Sequence, residues 1–223
     1  MRKLSKEKID EMFDLQNKLN IMTCGEQWRN GYTKEKREID WYRCIYMETA
    51  ELIDSFNWKH WKNINVKPDL ENAYIEIVDI WHFVMSAMIE EFGLNTAKKR
   101  AYLTFKHFLK YDKDEDWYKE KTLFYFAEEL ILSSIKTKDS LDLVASFFEL
   151  LYKLDNFTMN EVYKLYIGKN VLNQFRQDHG YKEGSYKKIW DGVEDNVFMQ
   201  KYLETHDDVN YADIYQYLKS VYK

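Results

Sequence analysis

The chain has 223 residues, 45% hydrophobic and 17% aromatic, which is enough apolar material for a sizeable core and excludes a disordered segment. Its 32% charged residues sum to a formal net charge of −5 at pH 7, giving no support for broad binding to nucleic acid or a membrane surface and pointing to a small partner. No run approaches the roughly 20 apolar residues that span a bilayer. The opening MRKLSKEKIDEMFD alternates charge too early for a secretory signal, so the expected compartment is the cytoplasm.

A single proline, Pro68, and no glycine between Gly31 and Gly93 or between Gly93 and Gly168 leave long stretches without a strong breaker. The expectation is an all-α fold in one domain, 1–223, with no strong hairpin signal. Ser5 is placed to cap a first helix whose apolar positions Ile9, Met12, Phe13 and Leu19 follow helical spacing, with Gln16 interrupting the stripe. Cys24 and Cys44 form no CxxC pair and are expected as buried, reduced thiols without chemistry.

Further along, a second helix is predicted over about 38–56 and a third over about 69–92, capped by Asp69 after Pro68. Mixed apolar and charged helical patterns follow near 94–110, 119–137, 139–153 and 158–178. The charged connection KYDKDEDWYKE reads as an exposed turn, too short and too aromatic for an interdomain linker. Gly180, Gly184 and Gly192 imply a structured loop after the last of these helices.

Two of the helices carry the same oddity. YMETAELIDSF sets Glu48 and Glu51 three residues apart in an apolar context, and YIEIVDIWHF repeats the pattern with Glu76 and Asp79. Residues at i and i+3 lie about 60° apart on a helix face, so each pair directs two carboxylates into one space. The 24 intervening residues, 52–75, can turn between antiparallel helices and bring the four acids together. Bare carboxylates at about 4 Å would repel by about 4 kcal/mol at an effective dielectric near 20, so protonation, Lys or Arg partners, or divalent cations must offset them. Oxygen-only donors suit Mg²⁺, and neither pair supplies the Glu-x-x-His of di-iron bundles. A solvated acidic face is the plain alternative for either pair alone. Acids three apart on one helix do not flank a sugar, which argues against glycoside chemistry.

These residues resemble the dimeric, all-α dUTP diphosphatases, within the larger all-α nucleoside triphosphate pyrophosphohydrolase group. Glu48, Glu51, Glu76 and Asp79 fill the four acidic positions of that family's metal signature, NWKHWK and DIWHF match its aromatic neighbourhoods, and YIGKNVLNQFRQDHGYKEGSYKKIWDGVEDN is similar to its closing region. The resemblance runs from about residue 10 to 200 and is weaker between 94 and 160, a region left to shape a dimer or cover the site. It implies a compact helical bundle with a four-helix metal-binding core and additional helices, a homodimer, and Mg²⁺-dependent hydrolysis of dUTP to dUMP and pyrophosphate. It also implies dUDP as a substrate, giving dUMP and phosphate. An activated water would attack the β-phosphorus, with Glu48 and Glu51 as catalytic acids and Glu48 the first candidate for the base.

Lys169, Asn173 and Arg176 follow i, i+4, i+7 spacing and can present two cations and an amide to a polyphosphate, with Tyr181 and Lys187 on the glycine-bearing loop folding over it. Gln16 and Asn20 share a helix face where a plain core would be apolar, and the resemblance puts them near the base. Trp61, with Trp58 as substitute, is expected as the aromatic wall. His82 and Phe83 line the base and deoxyribose, Phe83 guarding against a 2′-hydroxyl, and Asn196 joins the nucleotide pocket. The acids specify metal–phosphate chemistry more strongly than they specify the base, so a related pyrophosphohydrolase acting on dCTP or a broader set stays open. So does a non-catalytic helical interaction protein whose acids make structural ion pairs.

Overall fold

The computed structural model describes residues 4–63, 65–111, 118, 120–154, 157–206 and 209–222. The fold is all-α, 72% helical, as scarce glycine and proline predict. Helix α1, Lys6–Cys24, starts where the Ser5 hydroxyl accepts the Lys8 N–H at 3.3 Å, and stops at Gly25, whose φ of +102° a side chain rarely tolerates. Asp40 and Asp69 each accept an N–H at 3.0 Å to open α2, Trp41–Asp54, and α3, Leu70–Phe92. Gly93 at φ +74° lets α4, Leu94–Tyr111, begin at the next residue. Then come α5, Leu123–Leu132, and α6, Ser140–Tyr152, joined through a π-helical turn at Ser133–Thr137. Helix α7, Met159–Asp178, is opened by a capping box between Thr158 and Glu161.

The predicted spans agree with these elements to within a few residues, except that the 119–137 segment is interrupted at 121–122 before the helix from Leu123 and widens into the π turn at its end. Most of the charged connection at 110–120 falls on 112–117 and 119, outside the described residues. Both cysteines are free and half-buried rather than buried, and burial pushes the Cys44 thiol up to about 11, which keeps it protonated.

Beyond residue 180 the structure holds more than a loop. Strands β1, Ile189–Trp190, and β2, Val193–Glu194, pair antiparallel across Asp191 and Gly192, whose φ values of +49° and +82° match the left-handed pair a tight hairpin needs. The Asp-Gly signal was present in the sequence, but two-residue flanks show no alternation to support it. Two short helices follow, α8, Asp195–Thr205, and α9, Tyr211–Val221, not anticipated because their buried positions are few among charged residues and tyrosines. Gly168 is the reason α8 can lie close on α7: a Cβ there would stand 2.6 Å from Met199 Sδ and 2.8 Å from Leu203 Cδ1.

Helix α3 is the centre. It packs against α1, α2, α4, α6 and α7, and buries fourteen residues between Ala73 and Ile89, so it is apolar nearly all round. A polar group on its buried stretch is therefore an exception that calls for a partner. Glu76, Asp79, His82 and Ser86 are four such groups, and they mark the site.

Candidate active site

Helices α2 and α3 bring Glu48, Glu76 and Asp79 together, one carboxylate oxygen from each lying within 4.8 Å of the others. Glu51 is exposed at the solvent edge and outside that triad, although its charge reaches both glutamates. Burial, then the charge of Asp79, pushes the Glu48 and Glu76 carboxyls well above the usual range, and the two share a hydrogen bond. Among the described residues the cation in contact is Lys169 on α7, 4% exposed, whose Nζ sits 2.9 Å from Asp79 Oδ2 and 3.4 Å from Asn196 Oδ1. One ammonium against several carboxylates leaves excess negative charge, and hard oxygen donors at this spacing fit a divalent cation such as Mg²⁺.

Beside the triad is a cleft of about 200 Å³, lined by residues of α1, α2, α3 and α7 and by Tyr181. Asp79 belongs to both. One wall is aromatic: Trp41 and Phe83 stack with centroids 6.1 Å apart and 26° between planes. Another is cationic and amide-bearing, with Asn173, Arg176 and Gln177. Arg176 is not a free arm. Its Nε and Nη2 donate to Asp195 at 2.8 and 2.7 Å, while Nη1 donates to Asn173 Oδ1 at 3.3 Å and keeps its second N–H for a ligand. The Tyr186 hydroxyl donates to Asp195 at 2.8 Å as well, so the carboxylate is fully engaged at 1% exposure.

The third wall carries a polar network. Gln16 Nε2 donates to Asn20 Oδ1 and to Ser86 Oγ, both at 3.0 Å. Asn20 Nδ2 donates to Ser86 Oγ at 2.9 Å, and Ser86 donates to the His82 carbonyl at 2.8 Å. Gln16 Oε1 faces His82 Nδ1 at 2.6 Å, with the Tyr166 hydroxyl 3.2 Å away. Complete burial holds the imidazole down to about 4, so it is neutral and donates from Nδ1. His82 Nε2 and Trp41 Nε1 are buried without a partner among the described residues, and both residues line the cleft.

A triad of acids able to hold a cation, joined to a three-walled cleft, is the centre that the acidic signature implies, and a protein-family model described as dUTPase matches residues 8–181. The chain belongs to the dimeric all-α dUTPase family. No curated protein matches it. Membership makes it a dUTP diphosphatase, a hydrolase acting on dUTP.

Set on this dUTPase site, most of the expected residues converge. Gln16, Asn20, Asp79, His82, Phe83, Asn173, Arg176 and Tyr181 all line the cleft, while Lys169 and Asn196 are tied to its acidic edge. Trp61 does not line it. That ring is 62% exposed on the loop after α2, edge-on to Trp58 at 5.5 Å, and the aromatic wall expected from it is made by Trp41 with Phe83. Lys187 is exposed, its carbonyl accepting the Trp190 indole N–H at 2.7 Å. Sequence reasoning missed Trp41, Ser86, Tyr166 and Asp195. Ser86 had a signal, being a lone hydroxyl one turn after His82 on an apolar helix. Asp195 had none beyond its adjacency to Asn196.

Proposed function

We propose that the chain is a single all-α domain, active as a homodimer, that hydrolyses dUTP to dUMP and pyrophosphate and dUDP to dUMP and phosphate in a Mg²⁺-dependent reaction. The observation that carries this reading is the under-compensated triad of Glu48, Glu76 and Asp79 opening onto the cleft. Those three, with Glu51 at the rim, would hold the cation, which supplies charge neutralisation and lowers the cost of forming a nucleophile at neutral pH.

The side chains do the rest. Glu48, whose carboxyl is raised toward neutrality by burial and Asp79, takes the proton of the attacking water at the β-phosphorus. Lys169, anchored by Asp79 and Asn196, and the Nη1 edge of Arg176, held square by Asp195, balance the charge that grows on the phosphate oxygens. Tyr181 and Lys187 close over the phosphates. Trp41 and Phe83 exclude water from the nucleoside, Phe83 crowding out a 2′-hydroxyl, and His82 Nε2, buried and without a partner among the described residues, accepts a hydrogen bond from the deoxynucleoside.

The test is product-resolved hydrolysis of dUTP, dUDP, dCTP, dTTP and UTP with Mg²⁺ and with chelator, in wild type and folded Glu48→Gln. Selective, cation-dependent formation of dUMP that is lost in the variant is expected. Turnover of dCTP in preference to dUTP would keep the triad's role and overturn the base assignment, and absence of turnover across the panel would return the chain to a helical interaction protein.

A further inference from the structure

We propose that Ser86, which touches no substrate, is the positioning residue that makes the cleft select uracil over cytosine; the inference rests on the base-binding reading of Asn20 above. An asparagine amide presents a donor and an acceptor side by side. In one orientation it matches uracil, whose O4 accepts and whose N3–H donates. After a half-turn of the amide it matches cytosine in the same pose, because cytosine donates from its N4 amino group and accepts at N3. A free asparagine would therefore read either base.

The structure removes that half-turn. The chain of direction starts from a backbone group that cannot be reversed: the His82 carbonyl can only accept, so the Ser86 proton is committed to it at 2.8 Å. Ser86 Oγ is then an acceptor toward both amides, and both must turn their NH2 groups to it, Gln16 at 3.0 Å and Asn20 at 2.9 Å. Gln16 donates its second hydrogen to Asn20 Oδ1 at 3.0 Å, which holds that oxygen as well. Asn20 is left with one N–H and one oxygen lone pair in the uracil-matching order. Gln16 is left with none to offer a ligand: its Oε1 is taken by His82 Nδ1 at 2.6 Å, with the Tyr166 hydroxyl at 3.2 Å. The same chain fixes the imidazole. A Gln16 oxygen facing Nδ1 puts the His82 proton there and leaves Nε2 as an acceptor, which agrees with its having no partner among the described residues. One hydroxyl, 0% exposed, thus sets the hydrogen-bond polarity of three side chains on the nucleoside wall. Turning Asn20 over would leave two buried groups mispaired, and that cost is what cytosine must meet.

The experiment compares kcat/KM for dUTP and dCTP in wild type, Ser86→Ala and Ser86→Thr, the last retaining a hydroxyl that can donate to the same carbonyl. Ser86→Ala is expected to lower the dUTP-to-dCTP ratio at least tenfold and to raise dCTP turnover above wild type, and Ser86→Thr to restore the ratio. A packing defect alone lowers both substrates together; an unchanged ratio in Ser86→Ala therefore overturns the proposal. Imidazole nitrogen spectra of the wild-type protein test the direction without a variant: protonation of His82 at Nδ1 is expected, and protonation at Nε2 overturns it. A wild type that turns over dUTP and dCTP equally sinks this inference while leaving dUTP hydrolysis intact, whereas a wild type that turns over neither sinks the function beneath it.

Discussion

Two turns of α3 treat polar groups in opposite ways. Around Glu76 and Asp79 the fold gathers more negative charge than Lys169 can balance, and two carboxyls respond by moving toward protonation. Around His82 and Ser86, one and two turns further on, nearly every donor meets an acceptor. The difference teaches what each region is for. On the proposed reading, a cluster left electrically incomplete holds binding energy for a cation and the phosphates it carries, while a network completed in advance holds shape and direction and so selects the ligand.

If that division is right, neutralising an acid should harm activity and help the cation-free fold. Glu76→Gln is expected to lower kcat/KM for dUTP by about a thousandfold, which is about 4 kcal/mol of transition-state stabilisation. Chemical denaturation with chelator at pH 8 should meanwhile show the variant more stable than wild type by about 1 kcal/mol. A variant that loses both activity and cation-free stability would break the comparison.

The Arg176–Asp195 pair is charged yet satisfied, so it should behave like the back of the cleft. Asp195→Ala strands a buried guanidinium and is expected to cost about 3 kcal/mol of stability, read by denaturant midpoint. The pH dependence of the cation-free protein is a third measure. Glu48 and Glu76 titrate in the folded state near 7 and 8, above an ordinary value of 4.5. The folded chain therefore holds these protons more tightly than the unfolded chain. That advantage is complete below about pH 4.5 and is lost as pH rises through 7 to 8, a loss of about 2 kcal/mol after solvent screening. Mg²⁺ should flatten this slope in a thermal-melt series. The smallest effect belongs to Tyr166→Phe, which leaves the Met12 carbonyl and an Asn170 N–H without their partner and should cost about 1 kcal/mol.

The sequence showed the charged region better than the satisfied one, for a physical reason. Carboxylates in an apolar helical context are anomalous at a glance, so Glu48, Glu51, Glu76 and Asp79 stood out, of which three converge, and the two cations and an amide at i, i+4, i+7 pointed to the facing helix. Helix ends were legible where a cap was unambiguous, as at Ser5 and Asp69. Tyr166 was not legible and Ser86 only by its place on an apolar helix, because a serine and a tyrosine in a helix are ordinary until their partners 66 to 154 residues away are known. Trp61 shows the converse: its motif named an aromatic, but which ring reaches the cleft depends on a loop path that spacing does not encode, and the wall is built by Trp41. Helix α8 was missed because its burial depends on contact with α7 across Gly168, and α9 because only Ile214 and Leu218 of its residues are buried, among charges and tyrosines.

One partner of each of the two cations on α7 also comes late in the chain. Lys169 and Arg176 are synthesised before Asn196 and Asp195, which lie at the start of α8 beyond the Asp191–Gly192 turn. During translation, a nascent chain with α1 to α7 outside the ribosome already has its acids and its amides, but Arg176 lacks the carboxylate that holds it square. On the proposed reading, a chain stalled before residue 195 would lack both the carboxylate that holds Arg176 and the amide oxygen beside Lys169, so its phosphate side would be unassembled.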